Sequence, residues 1–332
     1  MDFTDTILRW YAENGRDLPW RRTRDPYAVW LSEIILQQTR VAQGRAYWER
    51  FLERFPTVES LATAPEDEIL RLWQGLGYYS RARNLHAAAK QIVALDGFPS
   101  TLEGIRSLKG VGDYTAAAIG SIAFGLPAAV VDGNVYRVLA RYFGIVTPVG
   151  TTAAKKEFTD LAQKLLPADS PAAFNQGMMD FGATCCTPVN PACPTCPLQP
   201  GCQAFRTGRI DLLPVKKEAA KPVERHLTYV YVRFQGQTAI HRRGPGDIWQ
   251  GLWEPWLTDE VPADARLLVH GFKHQLTHRT LFADFYLWEP AERPSLPDGY
   301  VWIEEAELDA YAKPRLFELL LFQTGIRIFE NA

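Results

Sequence analysis

The sequence predicts a two-domain protein in which an all-α domain is followed by a smaller α+β domain. Residues 1 to about 206 carry apolar side chains at the 3.6-residue period of helices, for example over 27–55 and 130–143, and no strand alternation interrupts them. From His226 onward the pattern changes to short runs rich in aromatic and β-branched residues, which is typical of strands. Residues 207–224 have neither period and mix charge with proline and alanine, so we expect a linker there.

Length and composition limit the classes of protein to which this chain can belong. A chain of 332 residues that is 47% hydrophobic is long enough for two cored domains. It has no run of 18 apolar residues and its first residues lack the features of a signal peptide, so we expect a soluble, cytoplasmic protein. With 36 basic and 38 acidic residues the net charge is −2, which does not by itself indicate a nucleic-acid binder. The basic stretch 71–90, which has no carboxylate, favours a nucleic-acid contact and a solvated helix face about equally.

Four of the five cysteines lie close together in the middle of the chain. They follow the spacing C-x6-C-x2-C-x5-C, at Cys186, Cys193, Cys196 and Cys202. Five prolines in the same span prevent the loop from becoming a helix. So compact a set of thiolates is typical of one metal centre, and spacing alone favours an iron–sulfur cluster over zinc and over disulfides. Cys185 has no place in this spacing, so we expect it to be a small buried side chain.

A glycine-containing turn lies well before the cysteines. The segment LKGVG ends in Gly112 and is followed by the helix former DYTAAAI, so two helices joined by a tight turn at Gly110 and Gly112 are expected. Backbone N–H groups in such a turn can hold a phosphate without any side-chain charge, which would allow a chain of little net charge to bind DNA. Taken alone, the segment also fits a plain hairpin between packed helices.

The cysteine spacing, after the stretch NQGMMDFG at residues 175–182, resembles the iron–sulfur loop of the endonuclease III and adenine glycosylase superfamily of DNA repair enzymes. This resemblance implies a 4Fe–4S cluster on the four cysteines and makes the glycine turn the helix-hairpin-helix motif of that superfamily. Endonuclease III-type enzymes carry a lysine nucleophile two residues after the second glycine, where this chain has Tyr114. A phenol cannot form an imine. The chain therefore resembles the adenine glycosylase (MutY) family, over almost its whole length.

The resemblance implies which residues carry out the chemistry. Glu33, in SEIILQQTRV, takes the position of the catalytic acid of that family, and Asp132, in VVDGNV, that of the aspartate that stabilises the positively charged sugar. Asn134 and Tyr114 match positions that help order the site. Without the resemblance, a polar helix stripe would be favoured for Glu33 and a helix N-cap for Asp132. With it, apolar neighbours raise the pKa of Glu33 so that it can protonate the leaving adenine, while the second carboxylate stabilises the oxocarbenium-like sugar.

The resemblance also implies how the damaged duplex is opened and read. An adenine in a duplex must be flipped out, at a cost of a few kcal/mol, and a side chain must fill the gap. In the segment GLGYYS, Leu76 and Tyr78 resemble the wedging and intercalating residues of the family. Trp20, Arg21 and Gln38 match positions around the adenine pocket and the opposite base.

Residues 225–332 resemble the MutT-like (Nudix-like) domain of the family, with IHRRGPGDIWQGLWEPW close to its early strands and loop. The glutamate-rich box that a Nudix hydrolase needs for magnesium is missing from the sequence, so we do not expect pyrophosphohydrolase activity. His270, His274 and His278 recur every four residues and would align as metal ligands on a helix, but the strand formers around them argue against that helix.

The segment FKHQLTH in this domain resembles the loop with which adenine glycosylases read 8-oxoguanine, where the usual tripeptide is Phe-Ser-His. This chain has Leu276 and Thr277 in the first two positions and agrees at His278. Threonine keeps the hydroxyl, whereas the missing phenyl ring puts a packing contact in doubt.

Together these observations predict a monofunctional DNA glycosylase that hydrolyses the N-glycosidic bond of adenine mispaired with 8-oxoguanine or guanine. We expect a monomer that acts on double-stranded DNA at the nucleoid and has no membrane partner. One alternative is a catalytically silent DNA-damage binding protein, against which Glu33 and Asp132 argue; another is an endonuclease III-like glycosylase and lyase, against which Tyr114 argues.

The resemblance divides the chain into three parts. These are a helical glycosylase domain at 1–206, made of a six-helix barrel module at about 20–127 and an iron–sulfur module at about 1–19 and 128–206; a linker at 207–224; and a Nudix-like lesion-recognition domain at 225–332.

Overall fold

The computed structural model describes residues 2–217 and 222–326. Helices α1 to α13 are, in chain order, Phe3–Asn14, Pro26–Leu36, Val41–Arg54, Val58–Thr63, Glu66–Leu72, Ser80–Ala94, Leu102–Ser107, Asp113–Phe124, Gly133–Phe143, Thr152–Leu165, Pro171–Thr184, Gln203–Arg206 and Arg315–Thr324. Strands β1 to β7 are Val223–Phe234, Gln237–Arg242, Trp253–Glu254, Trp256–Leu257, Arg266–Gln275, Arg279–Trp288 and Tyr300–Glu304. The predicted class, helices first and a mixed α+β part second, is confirmed. Among the described residues, no helix is long and apolar enough to span a bilayer.

The chain divides into two compact units. One contains the described residues within 1–63 and 87–218, and the other those within 64–86 and 219–332. Residues 64–86, which the sequence analysis assigned to the helical domain, thus pack in the same unit as the strands. The domain boundaries predicted from the sequence remain predictions.

Helix α2 is the central helix of the first unit, because nearly all its residues are buried. Asp25 caps its start by accepting from the backbone N–H of Tyr27 and Ala28, and Pro26 fits the first helical position. The periodic stretch 27–55 is not one helix: α2 ends at Leu36, and the chain turns through a left-handed residue, Gln38 with φ +57°, before α3. The break leaves Glu33 in the last turns of a buried helix.

Two further helices, α8 and α9, begin at the candidate active site. The expected helix-hairpin-helix is formed by α7 and α8, with Gly110 at φ +78° in the turn between them. Helix α9 begins at Gly133 and not at Val130, because Asp132 is extended and uses its side chain to cap the helix. Helix α11 packs against both α1 and α9 and carries the stretch that leads to the cysteines.

The second unit is built on a sheet whose main strand order is β3-β2-β1-β6-β5. Strands β1 and β6 run parallel over ten residues, from Val223 opposite Arg279 to Val232 opposite Trp288, and the other pairs are antiparallel. Residues of α13 pack with the buried face of these strands in one apolar core. His270 and His274 lie on strand β5, so the three histidines do not share a helix.

Candidate active site

One cavity of about 540 Å³ collects most of the polar side chains that the sequence analysis singled out. Its volume is in the range of small-molecule sites, and all its lining residues belong to the first compact unit. Seven predicted site residues line it: Trp20, Arg21, Glu33, Gln38, Tyr114, Asp132 and Asn134. The fold therefore joins residues from four separate stretches of sequence, while their individual roles remain predictions.

Glu33 projects from α2 and is 8% exposed. The Tyr114 hydroxyl donates to Glu33 Oε2 at 3.2 Å. Burial, together with the nearby Asp132 carboxylate, raises the pKa of Glu33 to about 7 against the opposing effects of the Tyr114 hydrogen bond and the Arg21 charge. A carboxyl with this pKa is substantially protonated near neutral pH and can serve as a general acid.

Asp132 stands at the N-terminus of α9 in a different environment. One of its carboxylate oxygens accepts from the backbone N–H of Asn134 at 2.9 Å and of Val135 at 2.8 Å, and the other accepts from the Asn134 amide at 2.8 Å. Burial raises the pKa of Asp132, whereas these hydrogen bonds and the charge of Arg137 act to lower it. Three N–H donors favour the ionised form, so Asp132 is suited to be the anion of the pair.

Tyr114 lies in the first turn of α8 and shares a wall of the cavity with Met179, whose sulfur is 3.7 Å from the tyrosine hydroxyl. Burial raises the pKa of Tyr114 well above its usual value, and the neighbouring Glu33 and Asp132 raise it further. The phenol therefore keeps its hydrogen and acts as a donor towards Glu33.

Arg21 lines the cavity, and its guanidinium forms an ion pair with Asp180. It donates to both carboxylate oxygens of Asp180, at 2.5 and 2.7 Å, and Arg16 donates to the same carboxylate at 2.6 and 2.8 Å. The Asp180 side chain is fully buried. Although burial raises the pKa of Asp180, the two guanidinium groups bring it below its usual value. Arg21 is therefore a fixed part of the wall, and it shares the Asp180 carboxylate with Arg16.

Trp20 and Gln38 form other parts of the lining. Trp20 is buried and packs edge to face with Trp48, with ring centroids 5.8 Å apart. Gln38 lies in the loop between α2 and α3, where its positive φ turns the chain past the cavity.

The cavity also has lining residues that sequence reasoning did not single out, among them Arg16, Gln176 and Met179. The last two lie on α11, where Gln176 is one turn before Asp180 on the same helix face. The stretch NQGMMDFG was noted only because it leads to the cysteines. Two polar residues four apart, Gln176 and Asp180, in a largely apolar helix were the signal that could have drawn attention to this face.

The glycines of the hairpin have different surroundings. Gly110 adopts a left-handed conformation, which favours glycine. Gly112 is extended, and a Cβ built on it would meet no atom within 4 Å in the described structure. Neither the backbone nor the packing of the described residues requires glycine at 112, so the open space suits close approach by a ligand.

The cysteine loop surrounds a small cavity of about 30 Å³, lined by Cys185, Cys186, Cys193, Cys196 and Cys202. Arg141 lies beside it and donates to the Cys186 sulfur at 3.5 Å. Across the described residues, no group of three or more His, Cys, Asp or Glu side chains already stands as a metal site. As a donor set, four thiols around one cavity with an adjoining guanidinium fit an anionic thiolate-bound centre.

Cys185 is buried, as expected from its place outside the spacing. The neighbouring Cys196 thiol and burial together raise the pKa of Cys185. Cys185 thus lies beside the four residues of the set and lines the same small cavity.

The remaining predicted recognition residues belong to the second compact unit. Leu76 is buried, whereas Tyr78 is 44% exposed and has a left-handed backbone with φ +45°. Thr277 and His278 are exposed in the turn between β5 and β6, and the Tyr78 hydroxyl is hydrogen bonded to the Thr277 hydroxyl.

Two contacts support these segments within the unit. Arg81 donates to the carbonyl oxygens of Leu76 and Gly77 and stacks over the Tyr78 ring, so part of the basic stretch holds a loop and is not a solvated face. Leu276 packs against the apolar core of the sheet, so it supplies packing at the position where the usual tripeptide has phenylalanine.

Comparison with known proteins identifies the family. Residues 31–168 match the HhH-GPD superfamily of base excision DNA repair proteins, and residues 228–323 match the NUDIX domain. The adenine DNA glycosylase of Buchnera aphidicola subsp. Schizaphis graminum is 38% identical over 295 residues, which cover 84% of this chain and 85% of that protein. The chain belongs to the adenine DNA glycosylase family. The resemblance read from the cysteine spacing and Tyr114 is thereby confirmed.

Other relatives are similar over a smaller part. The human adenine DNA glycosylase is 45% identical over 213 residues, which are 61% of this chain but 39% of the human protein. A solved structure of a thermostable thymine-DNA glycosylase superposes with a TM-score of 0.57 at 33% identity, over 62% of this chain and 95% of that one. As a member of this family the chain is an enzyme, a DNA glycosylase of base excision repair that binds DNA.

Proposed function

We propose that this glycosylase excises adenine from double-stranded DNA in which adenine is mispaired with 8-oxoguanine or guanine. Adenine is the base named for the relatives that match most of the chain. The observation that carries the proposed chemistry is the pair of carboxyl groups in one cavity, Glu33 with a pKa of about 7 and Asp132 with three N–H donors. Two carboxyl groups held in opposite protonation states are what hydrolysis of a glycosidic bond requires.

In the proposed mechanism, protonated Glu33 donates its proton to a ring nitrogen of the flipped adenine, which makes the base a better leaving group. As the bond to C1′ breaks, positive charge develops on the sugar and is stabilised by the Asp132 carboxylate. Asn134 and the α9 backbone hold Asp132 in place, and Tyr114 holds Glu33. Water then completes the hydrolysis and leaves an abasic site.

We further propose that Cys186, Cys193, Cys196 and Cys202 hold a 4Fe–4S cluster. Their spacing and their common cavity support this assignment. When bound, the cluster would supply cross-links among the loop segments that carry the cysteines. The loop is otherwise held by short 3₁₀ turns and proline, with little apolar core of its own.

For DNA recognition, we propose that the hairpin at Gly110 and Gly112 binds the phosphate backbone. The second unit then recognises the mispair. The support for the second assignment is the hydrogen bond between Tyr78 and Thr277, which brings a candidate intercalating residue and the candidate reading loop together. Thr277 and His278 have hydroxyl and imidazole groups able to contact 8-oxoguanine, which differs from guanine at N7 and C8. We propose that the protein acts as a monomer at the nucleoid.

The deciding experiment is single-turnover incubation with matched duplexes, followed by alkali to cleave abasic sites. We expect excision of A opposite 8-oxoguanine, slower excision of A opposite guanine, and no excision of A opposite T. A duplex with T opposite guanine serves as a control because a thymine-DNA glycosylase shares this fold. Excision of thymine but not of adenine would overturn the proposal.

The same samples test the two alternatives. A catalytically silent binding protein would retain the duplex without generating any alkali-sensitive site. A lyase would form an imine that borohydride traps as a covalent adduct, and we expect little adduct because Tyr114 is no amine. Efficient trapping would favour the glycosylase and lyase alternative.

A further inference from the structure

Three charged side chains meet beside the hairpin that is proposed to bind phosphate. Asp113 is the first residue of α8 and directly follows Gly112, where the described structure leaves open space. The Asp113 carboxylate accepts from Arg106 of α7 at 3.0 Å and from Lys155 of α10 at 2.6 Å. Two positive charges thus share one negative charge, and none of the three has a role in the chemistry described above.

The ion pairs of this cluster are exposed and easily exchanged. Hydrogen bonds from Lys155 and from Arg106 lower the pKa of Asp113, so its carboxylate is an anion at neutral pH. The side chains are 61% exposed for Arg106, 53% for Asp113 and 63% for Lys155. Ion pairs as exposed as these contribute little free energy, because water solvates the separated charges well. Another anion can therefore replace Asp113 as the partner of either cation.

The place of Asp113 sets its carboxylate against a phosphate. Backbone N–H groups in a glycine turn and at the start of a helix attract anions, and Gly110 and Gly112 are exposed at that turn. A phosphate held there lies next to Asp113, which repels it. Arg106 and Lys155 already contact the residue that follows Gly112, so the same phosphate lies within their reach.

The surroundings of the cluster allow the two cations to change partners. A groove of about 500 Å³ opens beside α8 and is lined by Arg106, Asp113 and Lys155 together with small side chains such as Ala116 and Ala117. Because the three charged groups lie at the surface of this groove, either cation can turn from the carboxylate to a phosphate without displacing a core side chain.

We propose that Asp113 is an intramolecular competitor of DNA phosphate: it occupies Arg106 and Lys155 and so limits the affinity of the hairpin for duplex DNA without a mispair. Phosphate contacts strengthen binding to every duplex and carry no sequence information, so limiting them leaves a larger share of the binding free energy to contacts with the mispair. This inference rests on the proposed function, because it takes the hairpin as the phosphate site.

The test measures how tightly variants of the full chain bind a duplex without a mispair, by fluorescence anisotropy at salt concentrations from about 50 to about 200 mM. Asp113→Asn removes the negative charge and keeps the size of the side chain. We expect its affinity to be about three- to tenfold higher than that of the wild type near 0.1 M salt. The plot of log affinity against log salt should become steeper by about 1 to 2, the change for one or two more neutralised phosphates.

A double-mutant cycle shows whether the gain passes through the proposed cation. Lys155→Gln should weaken binding more in the Asp113→Asn background than in the wild type, because the lysine of the wild type must first leave the carboxylate. Equal losses in the two backgrounds would mean that Asp113 acts through its own charge and not by competing for Lys155, which would overturn the proposal.

Asp160→Asn is the matched control, since it makes the same change of charge at an exposed position of α10, the helix that carries Lys155. Among the described residues, Asp160 has no ion pair with Arg106 or Lys155, and its replacement should alter the affinity by less than about twofold. A gain equal to that of Asp113→Asn would attribute the effect to net charge and overturn the proposal. Unchanged or weaker binding by Asp113→Asn would overturn it too, because a merely structural role at the start of α8 predicts no gain.

Gly112→Val separates this inference from the proposed function. Valine fits the extended backbone at 112 and fills the open space where a phosphate would approach. If Gly112→Val binds the duplex as tightly as the wild type, the hairpin is not the phosphate site and that part of the proposed function is wrong. If Gly112→Val binds more weakly while Asp113→Asn shows no gain, only the role of Asp113 is wrong.

Discussion

Glu33 and Asp132 show how neighbouring atoms decide what a carboxyl group can do. Both line one cavity and both are largely desolvated, which raises the pKa of each. Glu33 receives one hydroxyl hydrogen bond, whereas Asp132 receives three from N–H groups. Because each N–H donor favours the charged form, the two groups are suited to the roles of acid and anion.

The first prediction concerns the activity of Glu33. Replacing Glu33 with Gln should lower the excision rate constant by about 10²- to 10⁴-fold while preserving duplex affinity, because the proton is needed only in the transition state. In the wild type, excision should slow as pH rises through about 7, since the acid then loses its proton. Single-turnover rates against pH measure both effects.

The control for this prediction is Glu49→Gln, which alters an exposed carboxylate paired with Arg45 and should excise at the wild-type rate. Near wild-type excision by Glu33→Gln would remove Glu33 from the mechanism.

The second prediction concerns stability. The pKa of Glu33 in the folded protein, about 7, lies above the ordinary glutamate pKa of 4.5, so folding favours the protonated form. The stability that this proton contributes is complete below the unfolded-state pKa and is lost as pH rises through the folded-state pKa. The Tm of Glu33→Gln minus that of the wild type should therefore increase as pH rises from about 5 to about 8.5. A Tm difference that does not change with pH would contradict the buried, protonated state.

At the scale of elements, the cysteine loop contrasts with the helices around it. Helix α9 and helix α11 are held by apolar packing, whereas the loop consists of short 3₁₀ turns between prolines. Arg141 reaches into it and donates to the carbonyl oxygens of Thr187 and Pro188 as well as to the Cys186 sulfur. We expect a segment built from such short turns to depend on a bound centre for part of its order.

The third prediction follows from this dependence. Cys196→Ser should lose iron and sulfide and should weaken duplex binding, because it removes one of the four proposed ligands. Cys185→Ala, the adjacent matched control, should retain both, since Cys185 has no place in the ligand spacing. Iron and sulfide analysis of anaerobically purified protein makes the comparison. Stoichiometric zinc without iron would contradict the cluster assignment.

At the scale of the whole molecule, residues 64–86 pack with the second unit. Arg242 forms ion pairs with Glu66 and Asp67, and Arg83 donates to the Gln250 carbonyl at 2.6 Å. Deleting the C-terminal part of the chain would therefore also remove the partners of the segment that carries Tyr78. Point variants in the full chain therefore test recognition of the mispair without removing the contacts that hold residues 64–86 in place.

The fourth prediction uses such variants. The double change Thr277→Val and His278→Ala should reduce the preference for A opposite 8-oxoguanine over A opposite guanine, by at most a few kcal/mol of discrimination. Excision of A opposite guanine should be largely preserved, because the cavity residues are untouched. Thr277→Val alone should have a smaller effect, since water can bridge the lost contact.

Thr258→Val is the control for the reading loop, because the Thr258 hydroxyl bonds only within its own exposed turn, to the backbone of Glu260. It should keep the full preference. A double variant that also keeps the full preference would assign lesion reading to other residues.

The sequence by itself determined the fold class, the position of the cysteine loop and the family. These depend on local features: helical period, strand composition, turn glycines and the spacing of ligands, which a linear pattern records. It also named Glu33 and Asp132, but only through a resemblance, since their local patterns alone favour a polar stripe and a helix cap.

The tertiary structure decided the rest. The break at Gln38, the place of residues 64–86, the anchoring of Arg21 by Asp180 and the ion pair between Asp113 and Lys155 join residues far apart in the chain. The pKa of Glu33 also depends on distant residues, because its desolvation and its interactions with Tyr114, Asp132 and Arg21 exist only once the chain has folded around it. Pairings between distant side chains leave no periodic trace in a single sequence, and so only the folded molecule reveals them.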